Sequence, residues 1–145
     1  MAAHVLEFAS PDPDKIALSV LGVHGSKHWT YHALTSMVRR TAQGFLDQGL
    51  VAGDKILIRL GNTVDFPVVY LAALAVDMIP IPTSPMLTTP EVDKIVLELC
   101  PKAVVIADPV AGPTSQDHIT ITPKDIELYQ NNKPASFVFG DPNRV

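Results

Sequence analysis

Cysteine is nearly absent from the 145-residue chain, which contains one, Cys100. A single thiol closes no internal disulfide. That fits a reducing compartment, and the cytoplasm is the expected location. Cys100 ends an apolar helical run, which predicts a buried structural thiol; a nucleophile needs a nearby base, and the sequence offers no sign of one. Positive charge is also scarce. Eleven Lys and Arg stand against 15 Asp and Glu, giving a formal charge of −4 and a pI near 5.6. Nucleic-acid backbones demand a basic stripe, so they are excluded as partners. The one adjacent basic pair, Arg39-Arg40, reads as a solvated helix face. Long apolar runs are missing too. The longest uncharged one, residues 66–76, is about half of what a membrane span needs, so it reads as a buried helix and no span is expected. The first residues lack a basic region and turn acidic and proline-rich, so no signal peptide is expected.

The signatures of self-contained chemistry are missing as well. There is no GxxxxGK[ST] phosphate loop, no GxGxxG fingerprint, no HExxH, no CxxC and no GxSxG. His24, His28 and His32 recur every four residues, but Gly25 and the stretch 29–31 disfavour one continuous helix. On a strand that spacing puts side chains roughly 13 Å apart, too far for one ion. They read as exposed hairpin histidines. Asp65 and Asp77 flank the apolar helix about 18 Å apart. They read as a helix-terminus charge and a residue near a strand start, not as an acid–base pair. No catalytic, cofactor-binding or metal-binding residue is therefore assigned.

What is present is the composition of a globular domain, 47% hydrophobic and 18% charged, with a regular alternation of elements. Residues 2–9 read as a short helix ended by Pro11 and Pro13. Residues 15–21 and 27–29 read as a hairpin around a loop with two glycines. Thr30 caps a helix whose apolar stripe is Leu34, Val38, Ala42, Phe45 and Leu46. Gly49 closes it in the left-handed conformation, with Leu50 packing back. Residues 55–60 read as a strand buried on both faces. Asn62 or Thr63 is the expected cap of the apolar helix, with Pro67 in its first turn. Residues 79–83 read as a strand that is short and either at an edge or partly unpaired, because Pro80 and Pro82 remove ladder donors. Thr88 and Glu91 have capping-box spacing, followed by the stripe Val92, Ile95, Val96 and Leu99 and a stop at Pro101. Residues 103–107 read as a buried strand, 119–122 as a short strand and 123–129 as a short helix. The loop 83–91 offers hydroxyls and a helix N-terminus where open α/β sheets bind ligands, but it reads first as capping and turn chemistry, since no glycine admits a close backbone approach. Connections of this length predict parallel pairing with helices on the faces.

The ordered set of these pieces resembles the N-terminal part of the adenylate-forming superfamily, the acyl-CoA and aryl-CoA ligases and their luciferase and peptide-synthetase relatives. The matching pieces are Thr30-Tyr31, Arg40-x-Ala42-x-Gly44, Gly49-Leu50, Gly53-Asp54-Lys55, Asn62 and Asp65-Phe66-Pro67. After these come the Ala-rich helix, Pro80-x-Pro82, Pro85-x-Leu87-Thr88, Leu99-x-Pro101-Lys102 and the following Val-Val-Ile strand. The resemblance covers residues 1–145. It implies an α/β fold with a largely parallel sheet, flanking helices and an N-terminal β-hairpin, the partial first subdomain of a larger AMP-binding domain. It implies a parent enzyme that adenylates a small carboxylic acid with ATP and Mg²⁺ and passes the acyl group to CoA. It also implies that the phosphate loop and the lid with its lysine follow beyond this stretch. The fragment is then expected to bind no cofactor and to be inactive by itself.

Three positions depart from the family pattern. Ala33 stands where a capping Glu is common. Asp77-Met78 stands where Gly-Ala or Gly-Cys is common. Met86 stands where some CoA ligases carry an Arg, so no CoA contact is carried over. The alternative reading is a stand-alone, non-catalytic α/β module that binds a partner or itself through an exposed apolar face.

Overall fold

The computed structural model describes residue 6 and residues 12–23 and 25–138. Apart from residue 6, the helix expected over residues 2–9 lies outside that range, as do the last residues of the chain. Strands β1 (Ile16–Gly22) and β2 (Gly25–Thr30) form an antiparallel hairpin with a register shift between Ile16 and Leu18. Helix α1 (Tyr31–Asp47) follows directly. Then come β3 (Lys55–Arg59), α2 (Asp65–Ala75), β4 (Ile79–Pro82), α3 (Thr89–Leu99), β5 (Ala103–Ile106), β6 (Ile119–Ile121) and α4 (Pro123–Tyr129). The last four strands make one parallel sheet in the order β4-β3-β5-β6.

Local chemistry fixes the element ends. The Thr30 hydroxyl accepts from the Ala33 amide at 3.2 Å, capping α1 without the family's Glu. At the other end Gly49 has φ +83°. Its amide donates to Leu46 O at 2.9 Å and the Leu50 amide donates to Phe45 O at 3.2 Å, the paired bonds of a Schellman stop. Leu50 is buried, as expected, but Leu46 is 37% exposed, so the buried stripe of α1 stops at Phe45. For α2 the expected cap by Asn62 or Thr63 is not made. The capping position is Val64, with no side-chain bond, and the Thr63 carbonyl accepts from Phe66 instead. A helix buried on most sides gains its stability from packing, so it tolerates a bare end.

The sheet has a layer on each side. Ile56 and Ile58 of β3 and Val105 of β5 pack with α1, α2 and α4. Leu57 and Val104, the alternate residues, pack on Val92 of α3. The chain leaves β3 toward one face and β4 toward the other, so direction reverses around β3. In doubly wound sheets such a reversal opens a crevice at the strands' carboxyl ends.

Candidate functional site at the carboxyl edge of the sheet

That crevice is occupied by a side chain of the chain itself. Arg59, the last residue of β3, is fully buried. It follows Leu57 on the α3 side by the two-residue period of a strand. Its Nε donates to Ala111 O at 2.6 Å, its Nη1 to Ser84 O at 3.1 Å and Thr83 Oγ1 at 3.3 Å, and its Nη2 to Leu87 O at 3.0 Å. All four acceptors are uncharged oxygens, so three carbonyl dipoles and one hydroxyl hold the cation. Burial lowers the Arg59 pKa from its ordinary value, yet a guanidinium starts so high that it stays charged at neutral pH. The loop after β4 and the loop after β5 are thereby tied together beneath the edge where a ligand would sit. Sequence reading missed Arg59; a lone charge in an otherwise apolar strand was the available signal.

The loop 83–88 does the capping work expected of it. The Glu91 carboxylate accepts from the Thr88 amide at 2.8 Å and the Thr88 hydroxyl at 2.7 Å. Those bonds, the backbone one first, hold Glu91 below the usual carboxylate range. Met86 crests the loop, 88% exposed. Asp65 opens α2 close to the end of β3. Burial raises its pKa, opposing the charge-stabilising role expected at a helix terminus. Asp77 closes the far end of that helix at φ +58°, so the two carboxylates stand at opposite ends.

The histidines are not gathered together. His24 lies outside the described residues, His28 is on β2 and His32 is in the first turn of α1. Among the described residues no group of three or more His, Cys, Asp or Glu is placed to hold a metal ion.

Two expectations need correction. Cys100 is not buried: it is exposed, because it takes a left-handed φ of +47° at the C-cap of α3 and turns its thiol outward. It lines a groove of about 560 Å³ between α3 and residues 114–118, with Leu97, Lys102 and His118 among its walls. This groove lies at the amino ends of β5 and β6, away from the crevice. Arg39 and Arg40 are not a solvated face either. Arg39 Nε donates to Ala135 O at 2.7 Å and its guanidinium lies 5.5 Å from the Phe137 ring centre. Arg40 donates to Gln130 O. The pair straps the segment after α4 onto α1, through contacts distant in sequence.

The chain matches known proteins both in sequence and in fold. The AMP-binding enzyme family model matches residues 5–138. The chain belongs to the AMP-binding enzyme family. The vibriobactin-specific 2,3-dihydroxybenzoate-AMP ligase of Vibrio cholerae is 30% identical over 78 residues, 54% of this chain and 14% of that protein. The medium-chain fatty-acid–CoA ligase of Escherichia coli is 37% identical over 73 residues, 50% of this chain and 12% of that protein. Among solved structures, ATP-bound MatB from Rhodopseudomonas palustris superposes with a TM-score of 0.75 at 23% identity, covering 99% of this chain and 30% of MatB. The chain thus spans a minor part of the AMP-binding proteins it matches. Among the described residues no helix is long and apolar enough to cross a membrane.

Proposed function

We propose that the chain is the first α/β layer of an ATP-dependent ligase that converts a small carboxylic acid to its acyl-adenylate and then to a CoA thioester. The observation that carries this reading is the family match over residues 5–138. The names of the two sequence relatives place aromatic and fatty acids among the family's substrates. Within such an enzyme this layer acts by holding shape. Adenylation is driven largely by positioning and by charge stabilisation at the phosphates, and ATP, Mg²⁺ and CoA belong to the intact ligase. The chain's own contribution is a floor: parallel strands that end together, and two edge loops fixed by Arg59 so that groups placed above them keep their geometry. No residue here is assigned a step of the ligation, and the isolated chain does not adenylate acids.

The test is a segment exchange. Residues 12–138 replace the corresponding layer of the E. coli medium-chain fatty-acid–CoA ligase, and pyrophosphate release is measured with ATP, Mg²⁺ and a panel of acids. The exchanged enzyme is expected to adenylate acids, and the isolated chain to release no pyrophosphate. A folded exchange that adenylates nothing sinks the ligase reading. Micromolar ATP-Mg²⁺ affinity of the isolated chain in calorimetry sinks the assignment of a purely supporting role.

A further inference from the structure

The hairpin carries a nucleophile–base arrangement that the ligase reading does not use. Ser19 and His28 are directly paired across β1 and β2, and Ser26 precedes His28 by two residues, so strand periodicity puts all three on one face. His28 Nδ1 lies 2.7 Å from Ser19 Oγ, and His28 Nε2 lies 2.8 Å from Ser26 Oγ. Both ring nitrogens are therefore engaged by hydroxyls, and all three side chains are exposed. Leu21, paired with Ser26 across the hairpin, is 83% exposed. A hydroxyl within reach of an imidazole whose other nitrogen is held by a third group is the working geometry of an activated nucleophile.

We propose that Ser26, His28 and Ser19 form an acyl-accepting site for small activated esters with a short apolar acyl group, which rests on Leu21. With the Nδ1 proton donated to Ser19 Oγ, the Nε2 lone pair faces the Ser26 hydroxyl. Ser26 Oγ attacks the acyl carbon and its proton passes to Nε2. The bond to the leaving alcohol breaks, the electron pair leaves with that oxygen, and Nε2 returns the proton to it. Ser26 is left as an ester and no oxidant or reductant is consumed. Ser26 and His28 are the catalytic residues and Ser19 is a positioning residue.

The experiment exposes the full chain to p-nitrophenyl acetate, follows p-nitrophenolate release and maps the acetyl group by tandem mass spectrometry. One acetyl on Ser26 is expected. His28→Ala is expected to slow its formation about a hundredfold, the low end of general-base effects, and Ser26→Ala to abolish it. Ser19→Ala is expected to slow it, and Ser19→Thr, which keeps the hydroxyl, to restore it. Circular dichroism on each variant checks folding, and Ser26→Cys, which keeps a nucleophile at the position, is expected to take the acetyl as a thioester if Ser26→Ala does not fold. Acetylation confined to lysines or Cys100, or an unchanged rate in His28→Ala, overturns the proposal.

Discussion

Arg59 shows how much one side chain can organise. Replacing it with Met keeps the bulk and removes the donors to three part-buried carbonyls, those of Ser84, Leu87 and Ala111. A hydrogen bond made by a charged group is worth about 1.5–3 kcal/mol, and three go at once, so Arg59→Met is expected to lower stability by about 3 kcal/mol or more in urea unfolding. Gly44 makes a second test at this scale. A Cβ there would lie 2.3 Å from the Tyr129 ring, and that ring meets Phe45 edge-on with centroids 6.3 Å apart. Gly44→Ala therefore overpacks the α1–α4 contact and is expected to cost about 1–3 kcal/mol by the same measurement. Residue-scale reading from sequence succeeded where the cause was local. Gly49 stops a helix through its own neighbours, and its role was legible. The partners of Arg59 are 24 to 52 residues away, so nothing beside it in the chain announced them. Asp77 explains a departure from the family pattern: its φ of +58° is a conformation that glycine adopts without cost and Asp tolerates.

At the scale of elements, α3 and α4 begin alike. Thr122 donates its amide and hydroxyl to Asp125 at 2.8 and 2.6 Å, as Thr88 does to Glu91. Asp125 is held below the usual carboxylate range, first by the Thr122 hydroxyl and then by its amide. A carboxyl whose folded pKa is depressed adds stability above its unfolded pKa, near 4, and that stability is lost as pH falls through the folded value. Both helix starts are therefore expected to loosen in acid, below about pH 4. Amide exchange or circular dichroism at neutral and acid pH should show it, and the Glu91→Gln, Asp125→Asn double variant should flatten the pH dependence. The α3 cap was legible because the spacing of Thr88 and Glu91 is itself the geometry; the same spacing at Thr122 and Asp125 went unread. The bare start of α2 was not readable, since tertiary packing covers that helix. Cys100 was misread for a related reason: the stripe of α3 placed it correctly at the helix end, but a left-handed cap rotates it outward. It is expected to react fully with a thiol reagent such as DTNB without denaturant.

At the scale of the whole molecule, parallel pairing was legible from the alternation of strands and helices and from the connection lengths, whereas the strand order β4-β3-β5-β6 was not. Nor was the strap. Arg39 reaches 96 residues along the chain to Ala135 and Arg40 reaches 90 to Gln130, and the Ala135 amide bonds back to Arg39 O at 3.0 Å. The adjacent arginines looked like a solvated pair because their acceptors are backbone carbonyls, which every sequence has. Arg39→Ala removes a charged hydrogen bond and the contact with Phe137. It is expected to speed amide exchange at Ala135 and Val138 about tenfold, as opening becomes about 1.4 kcal/mol easier.

Pro80 and Pro82 govern what can join the β4 border of the sheet. Peptide groups of a strand face alternate sides, and the amides of Ile79 and Thr83 are spent inward, on Asp54 O and Ile58 O. The two prolines consequently look outward and present oxygen without hydrogen, so a visiting strand cannot zip onto that border. Extension of the sheet past β4 is therefore refused, whatever chain offers the strand.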